Sequence, residues 1–99
     1  MRQGTTPKHT FTLPFNTSIV ERIRVAYTQR GEVKIIKTKS DVEMSGNTIT
    51  VGLSQEETLK LNSNLKTYVQ VRAVTHNGEA FVSDIVTINT ERCLDGEVL

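Results

Sequence analysis

An all-β, two-layer antiparallel sandwich of about seven strands follows from three features of this chain. Apolar and polar residues alternate with period two in run after run. Turn-forming residues separate the runs, among them Gln29-Arg30-Gly31, Ser45-Gly46-Asn47 and Asn77-Gly78. A single stretch, SQEETLKL at residues 54–61, has a helical rhythm. Short strands at such spacing bury their apolar faces by packing two sheets over one core.

Taken in order, His9, Phe11, Leu13 and Phe15 share one face of a first strand, and Pro14 places that strand at a sheet edge or a kink. The run VERIRVAYTQ groups Ile23, Val25 and Tyr27 against Arg22, Arg24 and Ala26. EVKIIKT follows as its hairpin partner. A three-residue Gln29-Arg30-Gly31 loop would pair Val25 with Ile35 and Tyr27 with Val33, keeping the apolar face intact. A two-residue loop would set Tyr27 against Lys34, so the longer loop is expected. DVEM and TITVGL form the next hairpin, with Ile49, Val51 and Leu53 inward.

Ser54 and Glu57 have capping-box spacing, so residues 54–61 are expected to form a helical turn carrying the chain from one sheet to the other. TYVQVRAVTH then sets Val69, Val71 and Ala73 against Tyr68, Gln70 and Arg72. In the last strand, AFVSDIVTINT, Asp84 falls on the parity of Val82, Val86 and Ile88, which marks a bulge or a broken face. Residues 91–99 form an acidic tail, expected to be frayed or docked on a neighbour. The absence of Trp and of a Cys pair excludes an antibody-type domain but leaves a looser immunoglobulin-like sandwich. The strand order stays open, because a tight hairpin after the second strand conflicts with a strict immunoglobulin order.

The 99 residues fit one domain, 1–99. A net charge of +1 supplies no global attraction to nucleic acid or to an anionic membrane. Cys93 is the only cysteine, so neither an internal disulfide nor a cysteine zinc site can form. MRQGTTPKH lacks a signal-peptide core and no apolar run reaches the roughly 20 residues of a membrane helix. Synthesis in a host cytoplasm is expected, and no membrane association.

His9 and His76 have no ligand-like spacing to one another or to carboxylates. There is no G-x-S-x-G, Cys93 sits in an acidic tail that suits a nucleophile poorly, and Glu56 and Glu57 diverge as helical neighbours. No catalytic residue, cofactor site or metal site is therefore expected, and the chain reads as a non-enzyme. The distinctive local feature is the basic hairpin 22–39, where Arg22, Arg24, Arg30, Lys34, Lys37 and Lys39 face Glu32 alone. Arg22, Arg24, Lys34 and Ile36 make a mixed basic and apolar surface suited to protein contact, including contact with an acidic segment such as Asp95 and Glu97 of another subunit. Nucleic acid is disfavoured, since no aromatic side chains interleave with the charges.

The segments RQGTTPKHTFTLPF, VAYTQRGEV, NTITVGLSQEETLKL and CLDGEVL together resemble a group of small uncharacterised proteins encoded in prophages and phage-like elements of Gram-positive gut bacteria. The resemblance covers nearly the whole chain and carries no active-site motif. It implies a phage structural or accessory role, in tail or baseplate assembly, with other phage structural proteins or further copies of the chain as partners and the virion as a destination. The alternative is a ligand-binding module that uses the basic hairpin 22–39 for host-surface carbohydrate or nucleic acid.

Overall fold

Strands β2 (Val20–Gln29) and β6 (Thr67–Thr75) lie antiparallel at the centre of the larger sheet in a computed structural model that describes residues 1–99. The alternation read from the sequence places Ile23, Val25, Tyr27, Val69, Val71 and Ala73 on one face, and all six are buried. Opposite them, Ile49, Val51 and Leu53 come from the second sheet. Each fully buried side chain of this size contributes about 1.5–3 kcal/mol.

The other strands are β1 (Lys8–Thr12), β3 (Glu32–Thr38), β4 (Val42–Ser45), β5 (Thr48–Gly52), β7 (Ala80–Val82) and β8 (Val86–Ile88). The smaller sheet has the order β1-β5-β4; the larger is β3-β2-β6-β7, with β8 also pairing with β6. Read as strands B-E-D and C′-C-F-G, this is an immunoglobulin-like sandwich. The conflict over strand order disappears because the first strand takes the B position. The hairpin β2–β3 is then C–C′, within one sheet, where a tight turn belongs. Of the two placements Pro14 allowed, an edge or a kink, β1 takes the edge, and it ends two residues before the proline.

The β2–β3 turn differs from the expected three-residue loop. Gln29 pairs with Glu32, leaving only Arg30 and Gly31 in the turn, with φ of 53° and 74°. Two positive φ values define the hairpin turn whose twist matches that of the strands. The register then slips by one residue, pairing Thr28 with Val33 but Tyr27 with Ile35. Lys34 is the extra residue of this bulge. The bulge sets Tyr27 against Ile35 instead of the expected Val33, and it leaves Val25 opposite Lys37 instead of Ile35.

The last run is two strands rather than one. β7 and β8 both pair with β6, and the register between them shifts by one residue across Ser83, Asp84 and Ile85. Asp84 therefore sits at a bulge, with inward positions switching from Phe81 to Val86 and Ile88. Ser83 stands in for the ladder: its Oγ accepts from Val71 N–H at 2.9 Å and its own N–H donates to Val71 O at 2.9 Å.

The helix α1 (Gln55–Leu59) carries the chain from β5 in one sheet to β6 in the other. Ser54 Oγ accepts from Glu57 N–H at 3.1 Å, while Glu57 Oε1 accepts from Ser54 N–H at 2.9 Å. Thr58 and Leu61 are fully buried beneath the crossover. Thr58 Oγ1 donates to Thr5 O and accepts from Gly4 N–H. Buried Gln29 holds the far side, donating to Asn62 O and Thr67 Oγ1 and accepting from Asn62 N–H. Such fully satisfied buried polar groups fix geometry without a desolvation penalty.

The acidic tail is not frayed. Glu91 N–H donates to Met1 O at 2.7 Å, Gln3 N–H to Glu91 O at 2.9 Å, and Cys93 N–H to Gln3 Oε1 at 3.0 Å. Buried Thr90, just before it, meets Thr67 at the start of β6.

Arg30 supplies a testable consequence. A side chain with a Cβ is strained at positive φ, and Asn tolerates it better than Arg. Arg30→Asn is expected to stabilise the fold by about 0.5–1 kcal/mol, a rise of a few degrees in Tm by calorimetry.

Candidate contact surface

Between the layers lies a polar contact that sequence spacing did not reveal. His9 Nδ1 and the Tyr27 hydroxyl lie 2.7 Å apart, joining β1 of one sheet to β2 of the other. Burial, with the Glu57 carboxylate nearby, pushes the Tyr27 hydroxyl well above its ordinary pKa, so it stays protonated. A protonated hydroxyl can donate to Nδ1 or accept from it, so the direction of this bond follows the tautomer of the His9 ring. Burial, reinforced by the positive N-terminus, lowers the His9 pKa in turn. Nearby, in a separate pair, Glu57 accepts from Lys37 Nζ at 2.8 Å, mostly shielded from solvent. Burial raises the Glu57 carboxyl, but the Lys37 and Ser54 hydrogen bonds outweigh it and hold the group below its ordinary range. None of these four residues lines a groove; the His9–Tyr27 bond ties the two layers together and the Lys37–Glu57 pair ties β3 to the crossover helix.

The basic hairpin is not one stripe. Lys37 turns inward to Glu57, and Lys34, the bulge residue, pairs with Glu32 at 3.4 Å. Lys39 donates to Val20 O at 3.0 Å from the 3₁₀ turn Lys39–Asp41. Asp41 steadies that turn by accepting from Thr38 N–H and Oγ1–H, and these bonds hold its carboxyl below the usual range. Arg30 projects from the hairpin tip.

What remains is Arg22 and Arg24 on the outer face of β2, where β6 brings a third guanidinium beside them. Arg24 lies directly opposite Arg72, and Arg22 opposite Val74. Arg72 in turn faces Val82 of β7. These residues line an open groove of about 680 Å³, together with Lys39, Ser40 and Ala80. No carboxylate lines it, and none of the three arginines has an ion-pair partner. Of the expected contact residues, Arg22 and Arg24 are brought together here. Ile36 shares the outer face, half-buried opposite Ala26, but lies outside the groove, and Lys34 stands apart at the bulge. Arg72 was legible in parity but not in position, because only the β2–β6 register sets it against Arg24.

A second groove, of about 490 Å³, opens between the layers where β1 meets β7 and β8. Phe11, Leu13, Val71, Phe81 and Val86 line it. Phe15 meets Phe81 edge-on at its side, with ring centres 5.3 Å apart. No strand pairs with the outer edge of β1, and Val82, Ile85 and Val86 stand exposed across the opening.

His76 lies exposed beside the β6–β7 turn, far from His9 in the fold, and no three His, Cys, Asp or Glu residues converge in a metal-binding arrangement. Cys93 is half-buried, its thiol donating to Asp95 O. No helix is long and apolar enough to cross a membrane.

Neither a sequence-family model nor a curated protein sequence matches this chain. Among solved structures, the V domain of amphioxus IgVJ-C2 is similar over 91% of this chain and 96% of that one, at 12% identity and a TM-score of 0.39. The immunoglobulin-like assignment made above rests on strand order.

Two measurements test this description. The native state resists protonation of His9, whereas the unfolded chain takes up that proton near pH 6.5. The contribution is complete above pH 6.5 and is lost as pH falls below it, while Asp41 and Glu57 act in a lower window, below their ordinary values near 4. Thermal melts should therefore show Tm dropping between pH 7.5 and 5.5, and His9→Gln should flatten that segment alone. Separately, like charges directly opposite across a sheet cost about 0.2–1 kcal/mol. Arg72→Thr should raise Tm at low salt, and the gain should shrink as salt screens the wild-type repulsion.

Proposed function

We propose that this chain is a non-enzymatic structural or accessory module that works through protein–protein contact. Following its sequence resemblance, the setting is a phage or prophage particle, in tail or baseplate assembly. The observation that carries the reading is the seam between β1 and β7–β8, which joins an unpaired strand edge to an apolar interlayer groove with Val82, Ile85 and Val86 exposed beside it. An unpaired edge offers backbone hydrogen bonds to an added strand, and pockets beside it select alternate side chains. A partner segment laid there would extend the smaller sheet and cover Phe11 and Phe81. The partners are other structural proteins of the particle, or further copies of the chain.

Particles and assembly intermediates from producing cells, separated on a density gradient and assayed by mass spectrometry, provide the test. The chain is expected in fixed proportion to tail components. An Ile85→Lys, Val86→Lys variant, altered only at exposed positions, should lose that association while keeping its fold by circular dichroism. A chain absent from every particle fraction, monomeric by light scattering, and binding oligonucleotide with a steep salt dependence would instead support the ligand-binding reading of the basic hairpin.

A further inference from the structure

The arginine groove and the acidic tail lie at opposite ends of the molecule. The groove gathers around Arg72 and Val74 near the end of β6, opposite Arg24 and Arg22. The tail leaves Thr90 beside Thr67, where β6 begins, and is held there by Met1, Gln3 and Gln55. At about 3.3 Å per residue, the strand from residue 67 to residue 74 separates the two by roughly 23 Å. A tail anchored at Gln3 through Cys93 does not reach the groove of its own chain. A neighbour stacked end to end presents its tail there directly.

The chemistries match. Beyond Cys93 the tail offers Leu94, Asp95, Glu97 and Val98, with Leu94 91% exposed and Val98 53%. Drawn out as a strand, the segment places Asp95 and Glu97 on one face, two residues apart, and Leu94, Gly96 and Val98 on the other. Arg22 and Arg24 have the same two-residue separation along β2, so each carboxylate can meet one guanidinium, with Arg72 alongside. Val74, Ala80 and Val82 in the groove supply apolar partners for the tail's other face. The Asp95 carboxylate now accepts only from Glu97 N–H at 3.0 Å, a local bond that docking exchanges for charge-assisted ones.

We infer that the groove lined by Arg22, Arg24 and Arg72 receives the acidic tail segment, residues 94–98, of a second copy of this chain. The inference rests on the protein-contact reading above and specifies one partner for it. The contact is heterologous, head to tail, so repeated copies form a ring or an open filament rather than a closed two-fold dimer. An acidic segment from a different protein, or nucleic acid, would use the same guanidinium chemistry and is an alternative outcome of the test.

Charge reversal on each side, followed by mixing, decides the matter. The first variant is Arg22→Glu, Arg24→Glu, Arg72→Glu; the second is Asp95→Lys, Glu97→Lys. All substituted positions are exposed, and circular dichroism monitors folding. In sedimentation velocity over a concentration series, the wild-type chain should gain average mass with concentration, and lose that gain as salt is raised. Each variant alone should remain monomeric. An equimolar mixture should associate again, because the acidic groove of the first accepts the basic tail of the second and the reverse pairing also holds. Failure of the mixture to associate, or unaltered association of either variant alone, would overturn the inference. If association survives both reversals but is lost in the Ile85→Lys, Val86→Lys variant, the seam alone mediates contact and only the tail–groove pairing falls. A wild-type chain that is monomeric throughout yet present in particles overturns the self-contact while leaving contact with other proteins standing. One that is monomeric and absent from particles removes both.

Discussion

The register between β2 and β6 is the constraint on which the rest of this molecule depends. With Ile23 opposite Ala73, Val25 opposite Val71 and Tyr27 opposite Val69, an apolar ladder forms that the smaller sheet can cover. A pleated strand sends successive side chains to opposite faces, so this choice leaves no freedom on the other side. Arg24 must then lie opposite Arg72, with Arg22 diagonal to it. The core selects the alignment, and the cationic outer surface is its mirror. An opposite charge or a threonine at either site would remove the repulsion between Arg24 and Arg72, and no carboxylate lines the groove to neutralise it.

The second constraint is the passage from β5 to β6. Two strands in different layers cannot be joined by a hairpin, so the chain must cross the end of the core. The helical turn does this with its N-terminus capped by Ser54 and its flank held to β3 through Lys37 and Glu57. Gln29 and Thr58 satisfy the backbone on either side. Hydrogen bonds of this kind contribute only about 1 kcal/mol each, but leaving their buried partners unmade costs more. The polar groups thus specify where the crossover lies, while Leu61 and the interlayer core supply the stabilisation.

Much of this architecture was legible in residue order. The inward triplets along β2, β5 and β6, the capping box at Ser54 and Glu57, and the edge or kink that Pro14 signalled are all local signals, and local signals survive in a linear string. What escaped was the register shift on β3. Lys34 does not announce itself as a bulge, because the extra residue is decided by what lies across the ladder, with Tyr27 seeking Ile35; the shift between β7 and β8, by contrast, showed in the parity of Asp84 with Val82, Val86 and Ile88. The candidate surface shows the same division. Arg22 and Arg24 could be grouped from parity alone, whereas Arg72 joins them only through pairing across almost fifty positions of chain. Lys37 was counted only within the basic hairpin, and its ion pair with Glu57 escaped because it depends on where the crossover helix lies against β3.

These two shifts also shape how the larger sheet meets other molecules. One lies on β3 and the other between β7 and β8, so both of its lateral boundaries are kinked and carry an offset ladder. An incoming chain that tried to propagate the sheet sideways would fall out of step within a few residues. Sideways growth is thereby obstructed along both margins of the larger sheet, which leaves strand addition to the edges of the smaller one.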